Sequence, residues 1–147
     1  MDELIYDRTQ SDVNYALNNP GSTSFLKGTY NYTDLNRIES WCEYIAQQLN
    51  LYNYFVNITT KTDWTMEDFP TKSELKRIRD NVESLKNAFI SFTNVPDSLE
   101  KMTYEKANDL EKVLYEIDKL IKNMIASFLY SGTFYSGESE GLLPWAL

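Results

Sequence analysis

Four stretches of the chain repeat apolar residues at intervals of three and four, the spacing that lines one face of a helix. The first covers about Ser11 to Asn18, with Val13, Ala16 and Leu17 on one side and Thr9 placed to cap it. Asn18-Asn19-Pro20-Gly21-Ser22 ends it, because Pro and Gly both oppose continuation. The second covers about Asp34 to Asn50, with Thr33 as cap and an inward stripe of Leu35, Ile38, Trp41, Cys42, Ile45 and Leu49. The third opens on Thr71-Lys72-Ser73-Glu74, a capping box behind Pro70, and its stripe from Leu75 through Ile78, Val82, Leu85 and Phe89 runs to Phe92. The fourth is the longest. Thr103 can cap it, Leu110 to Phe128 supply a broad apolar face, and Gly132 ends it. A face of that length needs other helices to lie against, and the second and third segments supply them.

The period shifts from 3.6 towards 2 in Tyr54-Phe55-Val56-Asn57-Ile58-Thr59-Thr60, which reads as a strand rich in β-branched and aromatic residues. Thr133-Phe134-Tyr135-Ser136, between Gly132 and Gly137, is a second candidate. A single strand would leave its backbone groups unpaired, so these two pair with each other or one pairs with a neighbouring molecule. The expected fold is mainly α: a bundle of three long helices and one short one, with a small β element at one end. Residues 1–140 form a single domain in this reading, and Gly141-Leu142-Leu143-Pro144-Trp145-Ala146-Leu147 is a separate apolar tail. That tail is too broken by Gly and Pro for a helix. It packs on its own domain or docks on a partner, and the partner is the preferred reading.

Composition narrows the function. The 147 residues hold 42% hydrophobic and 24% charged residues, a globular balance in a one-domain length. The net charge of −8 is opposite to the basic footprint of a nucleic-acid binder and disfavours an anionic membrane surface. The basic run Lys72, Lys76, Arg77 and Arg79 reads as a solvated helix face. With no histidine there is no Ser-His-Asp triad, Cys-His pair or imidazole ligand. The lone Cys42 falls on an apolar stripe and reads as a buried, inert thiol. The N-terminus lacks the basic start and apolar run of a secretory signal, so synthesis and folding in the cytosol are expected.

Carboxylates are the remaining candidates for chemistry. Asp63, Glu67 and Asp68 surround Trp64, an arrangement that can act on or bind a carbohydrate, but a solvated acidic loop with its tryptophan in the core is the favoured reading. Glu39 with Glu43, and Glu105 with Asp109, lie one turn apart and read as wet helix faces. No phosphate-binding glycine motif or nucleophile elbow is present. The residues therefore point to a protein that contacts other proteins, without enzyme activity, cofactor, metal or small-molecule substrate. Eleven tyrosines, seven phenylalanines and three tryptophans suit surfaces wet alone and dry in a complex, or else a tyrosine-rich core and shell. Trp64, Phe134, Tyr135, Leu142, Leu143, Trp145 and Leu147 are the candidate partner-binding residues.

Four stretches carry a family likeness. They are Lys27-Gly28-Thr29-Tyr30-Asn31-Tyr32-Thr33-Asp34-Leu35-Asn36-Arg37-Ile38-Glu39; Thr59-Thr60-Lys61-Thr62-Asp63-Trp64-Thr65-Met66-Glu67-Asp68-Phe69-Pro70-Thr71; Leu99 to Glu111, with Thr103-Tyr104 and Ala107-Asn108-Asp109; and Tyr130-Ser131-Gly132-Thr133-Phe134-Tyr135-Ser136-Gly137-Glu138. In this order they resemble a domain of tail and baseplate proteins from phages and prophages of Gram-positive bacteria. The likeness spans residues 28–138. It departs from the family's pattern in the short separation, Asn18 to Leu26, between the first helix and the first motif. The family domain often lies within larger proteins, so a small separate component is the expectation here. The resemblance implies a structural part of a tail or baseplate, homo-oligomeric and bound to other tail proteins, localised to the virion or a phage-like particle. An assembly adaptor or chaperone is the alternative, and a carbohydrate module the weaker one. It brings no catalytic residues. Tyr30, Tyr32 and Trp64 are expected to clamp the strand-bearing edge onto the helices. Asn36, Arg37, Asn108 and Asp109 are expected to bridge two helix starts.

Overall fold

The computed structural model describes residues 1–22 and 26–133, and its regular elements are four helices: α1 (Gln10–Leu17), α2 (Tyr32–Leu51), α3 (Lys72–Ala88) and α4 (Tyr104–Thr133). Each start has a local cause. The Thr9 hydroxyl accepts from the Asp12 amide and Asp12 returns the bond, closing a capping box on α1. Thr71 and Glu74 do the same for α3. The Thr103 hydroxyl accepts from the Lys106 amide at 3.2 Å to start α4. For α2 the cap is Asn31 rather than Thr33: the Asn31 side chain takes the Thr33 amide at 2.9 Å, and Asp34 takes the Asn31 amide at 2.8 Å. The α2 end is a Schellman turn, with Asn53 at φ 69° and the Tyr54 amide reaching back to the Leu49 carbonyl at 2.8 Å. Helix α3 stops at Ala88, short of Phe92, because Glu116 of α4 gathers the Ser91 hydroxyl and the Thr93 amide and turns the chain back.

The three long helices run in the same direction. Arg37 near the start of α2 meets Glu111 near the start of α4, while Tyr54, just past the end of α2, meets Met124 late in α4. Likewise Arg77 of α3 meets Glu39 of α2, and Phe89 at the far end of α3 stacks edge-on against Tyr54. Two long non-helical straps, residues 54–70 and 89–103, carry the chain back between helices. The helices pack pairwise around Ile38, Ile45 and Leu49 of α2, Ile78, Val82 and Leu85 of α3, and Leu110, Leu114, Ile117 and Ile121 of α4, all essentially inaccessible to water. Each such side chain contributes about 1.5–3 kcal/mol of transfer free energy.

No β element forms among the described residues. The first strap is extended and does alternate, with Val56 and Ile58 turned towards the core and Phe55 and Asn57 outward. It has no strand beside it, and side chains from the helices bond its backbone instead. Asn50 exchanges two hydrogen bonds with the Val56 amide and carbonyl at 3.0 and 3.2 Å. The Thr59 carbonyl accepts from Arg77 and Asn81, and the Lys61 amide donates to Glu39. These bonds meet the demand that a partner strand would have met. Of the second strand candidate, Thr133 closes α4, and Phe134 to Ser136 lie outside the described residues.

Candidate functional site

Two buried charge clusters hold the end of the bundle at which the long helices begin. In the first, Arg8 from the N-terminal segment and Arg37 from α2 face Asp34 and Glu111, and the four side chains are at most 3% exposed. Arg37 Nε and Nη2 take both Glu111 oxygens at 2.6 and 3.0 Å, and Arg8 Nη2 approaches Glu111 at 2.8 Å and Asp34 at 3.2 Å. Two positive and two negative charges balance one another in the buried interior. Burial opposes charge on Arg37, but the Glu111 and Asp34 carboxylates outweigh it and hold the guanidinium above its ordinary pKa. Arg8 also lies over the Tyr30 ring at 5.3 Å. The Tyr30 hydroxyl is raised well above its usual range by burial and then by the Glu111 and Asp34 charges.

The second cluster centres on Glu39, which is 0% exposed. Its two oxygens accept from both Arg77 terminal nitrogens, the Trp64 indole nitrogen and the Lys61 amide. Asn36 closes a reciprocal pair with the Trp64 backbone, at 2.8 Å from the amide and 2.9 Å to the carbonyl. Asn108 closes the same kind of pair with Arg8. Buried carboxylates saturated in this way neutralise guanidinium groups and position backbone. They are poorly placed to take a proton from a substrate.

These clusters fix the strap that carries the most exposed large apolar side chains of this end. Trp64 is 3% exposed, pinned by Glu39 and Asn36, with Lys61 over its ring at 4.7 Å. Immediately after it, the Thr65 amide and hydroxyl bond the Asp68 carboxylate, and the Asp68 amide returns to the Thr65 carbonyl. The resulting tight turn throws Met66 and Phe69 outward, 78% and 86% exposed. Beside them runs a mostly apolar groove of about 440 Å³, walled by Tyr32, Leu35, Met66, Phe69, Leu75 and Met102. Its polar rim comes from Asn31, Thr65 and Asp68. The Asp68 carboxyl sits below its usual range because the Thr65 amide and hydroxyl bond its ionised form.

Several expectations change against this geometry. Trp64, a candidate for partner contact and for sugar stacking, has no free face and acts as a buried anchor, because its indole nitrogen needs Glu39 and its backbone needs Asn36. Glu39 belongs to the core and not to a wet face, whereas Glu43, Glu105 and Asp109 are exposed as expected. Within the basic run, Arg77 is committed to Glu39 and Arg79 donates to the Pro96 carbonyl. Of the four residues expected to bridge helix starts, only Arg37 does so, to Glu111. Asn36 and Asn108 clamp extended chain, and Asp109 faces solvent. Cys42 is buried, and burial pushes its thiol up, as its stripe position implied. Phe134, Tyr135, Leu142, Leu143, Trp145 and Leu147 lie outside the described residues.

The groove residues Met66 and Phe69 fall in the second family-like stretch but carried no sign of a contact role, since an apolar residue in a loop has no periodicity to expose it. Glu39 and Glu111 did carry a signal: each stands inside an apolar stripe, one turn from Leu35 and from Ala107. Arg8 carried none. Among the described residues no group of three or more Cys, Asp or Glu is placed to hold a metal ion, and no helix is long and apolar enough to cross a membrane. Comparison of the chain with protein-family models, curated proteins and solved structures returned no match.

Proposed function

We propose that this chain is a non-enzymatic structural part of a phage or phage-like tail or baseplate, which works by docking other proteins on the groove beside Phe69. The observation that carries the docking reading is the rigid presentation of Met66 and Phe69. Two large apolar side chains are held in water by a turn whose preceding residue is locked into the core. Leaving such surface wet is unfavourable, and burying it against a partner recovers about 25 cal/mol per Å². The groove has the make-up of a contact patch, with aromatic and Met side chains at the centre and a thin polar rim.

The tail assignment rests on the four ordered motifs, and the structure adds a physical reading of them. Asn31, Asp34, Asn36, Arg37 and Glu39 of the first motif, Lys61 and Trp64 of the second, and Asn108 and Glu111 of the third are the residues that build the clusters and clamps. The likeness therefore lies in the framework that holds the groove. In this reading the neighbours are other tail or baseplate proteins and further copies of the chain, without nucleic acid, membrane, cofactor or small-molecule substrate. The place of action is the particle. Mass spectrometry of purified particles tests it. The chain is expected at a stoichiometric level, and a folded Phe69→Ser variant is expected to be lost from particles. Absence of the unmutated chain from mature particles would replace the structural role with that of an assembly helper.

A further inference from the structure

The opposite end of the bundle carries a second apolar surface, independent of the groove. Tyr54 packs against Phe89 with ring centres 5.0 Å apart and donates to the Met124 sulfur at 3.8 Å, which ties the ends of α2 and α3 to α4. Around this knot Leu51 and Phe55 are 51% and 81% exposed, Ile90 is 50% exposed, and Phe128 and Leu129 of α4 are each 45% exposed. We propose that Leu142, Leu143, Trp145 and Leu147 of the same chain cover this end.

Reach decides between the two apolar surfaces. With Arg37 level with Glu111, the last residue of α2 stands level with Ile125, so α4 overhangs the bundle by about eight residues, or ~12 Å. Residues 134–140 span at most about 24 Å, enough to bring residue 141 back to the apolar end. The groove lies level with Met102, roughly 46 Å back along the bundle from Thr133, so residue 141 cannot reach it and only a fully extended run of all of residues 134–147, about 48 Å, would bring Leu147 there. Composition agrees with this division. After Phe134 and Tyr135, residues 136–140 read Ser-Gly-Glu-Ser-Glu, a spacer suited to water, whereas residues 141–147 have no charged side chain. A covalent connection this short also gives its end an effective concentration of about millimolar, which favours the chain's own tail over that of a second copy at ordinary concentrations.

The test is a cysteine pair, Asn87→Cys on the exposed last turn of α3 and Ala146→Cys in the tail, in the full chain, with buried Cys42 left in place. Oxidation is expected to give a disulfide within one chain, with a yield unchanged by dilution. A linked dimer whose yield climbs with concentration would assign the end to a second copy and overturn the proposal, and so would the absence of any link. A second readout needs no cysteine. Ending the chain at Glu140 is expected to raise the fluorescence of an apolar dye several-fold while helical content stays the same, and unchanged dye binding would also overturn it.

Discussion

Replacing Arg37 with Met tests whether the first charge cluster holds the fold. The substitution keeps an unbranched, helix-compatible side chain of similar length but leaves Asp34 and Glu111 buried with Arg8 as the one remaining cation. Glu111 loses two hydrogen bonds and Asp34 one. Breaking a buried pair by removing one partner costs about 3–5 kcal/mol, a large part of the roughly 5–15 kcal/mol that holds a typical domain folded. With a urea slope of about 2 kcal/mol per molar, the midpoint is expected to fall by on the order of 2 M. The double variant Arg37→Met/Glu111→Met is the sharper measurement. It restores neutrality, since Arg8 and Asp34 remain as a pair, and its main residual cost is the Ile5 amide, which loses its acceptor, at about 1–3 kcal/mol. The double variant should thus be no less stable than Arg37→Met alone, with a coupling of at least about 2 kcal/mol in the cycle. Strict additivity of the two single losses, or a single loss under about 1 kcal/mol, would refute the argument that balanced buried charge keeps this end closed.

Other expectations follow from single sites. Asn36→Ala removes both bonds to the Trp64 backbone and is expected to cost about 1–3 kcal/mol in urea unfolding, with faster hydrogen exchange at the Trp64 amide than in the unmutated chain. Gly28→Ala would place a Cβ 2.1 Å from the Asp12 carbonyl oxygen, so backbone must shift; a clear drop in melting temperature is expected, and an unchanged one would mean that loop and α1 are not in contact. Asp12, Asp68 and Glu116 all sit below their ordinary values: Asp12 through its bonds with Thr9, Asp68 through Thr65, and Glu116, which burial opposes, through Thr93 and Ser91. A depressed folded pKa contributes stability that is fully present above the unfolded value and is lost as pH falls through the folded one. Unfolding free energy should therefore be flat near neutrality and fall below about pH 4.5, with Glu116→Gln flattening part of that acid decline.

The helices were legible because their causes are local. An apolar stripe, a Thr cap (backed by Asp or Glu three residues on in α1 and α3) and a Pro-Gly stop all lie within one window of sequence, so α1, α3 and α4 start where the residues say. The Asn31 cap was missed only because Thr33 competes for the same role two residues later. The strap was half legible: alternation showed an extended chain, but whether extended chain becomes a strand depends on what lies beside it. Here it lies on Asn50, Arg77, Asn81 and Glu39, so side-chain bonds replace a ladder, a choice made between residues up to 22 apart in sequence.

The site depended still more on distance. Trp64 looks like a contact residue until Glu39 is brought to its indole nitrogen, and Phe69 looks unremarkable until Trp64, pinned behind it, forces it into water. Arg8 and Glu111, about a hundred residues apart, meet only when the helices run parallel and bring their starts to one end. Sequence by itself determined which segments are helical, that the thiol is buried, and that no imidazole chemistry is available. Tertiary structure alone decided which charges are buried and which aromatic is displayed, because burial belongs to the neighbours a residue acquires and not to the residue.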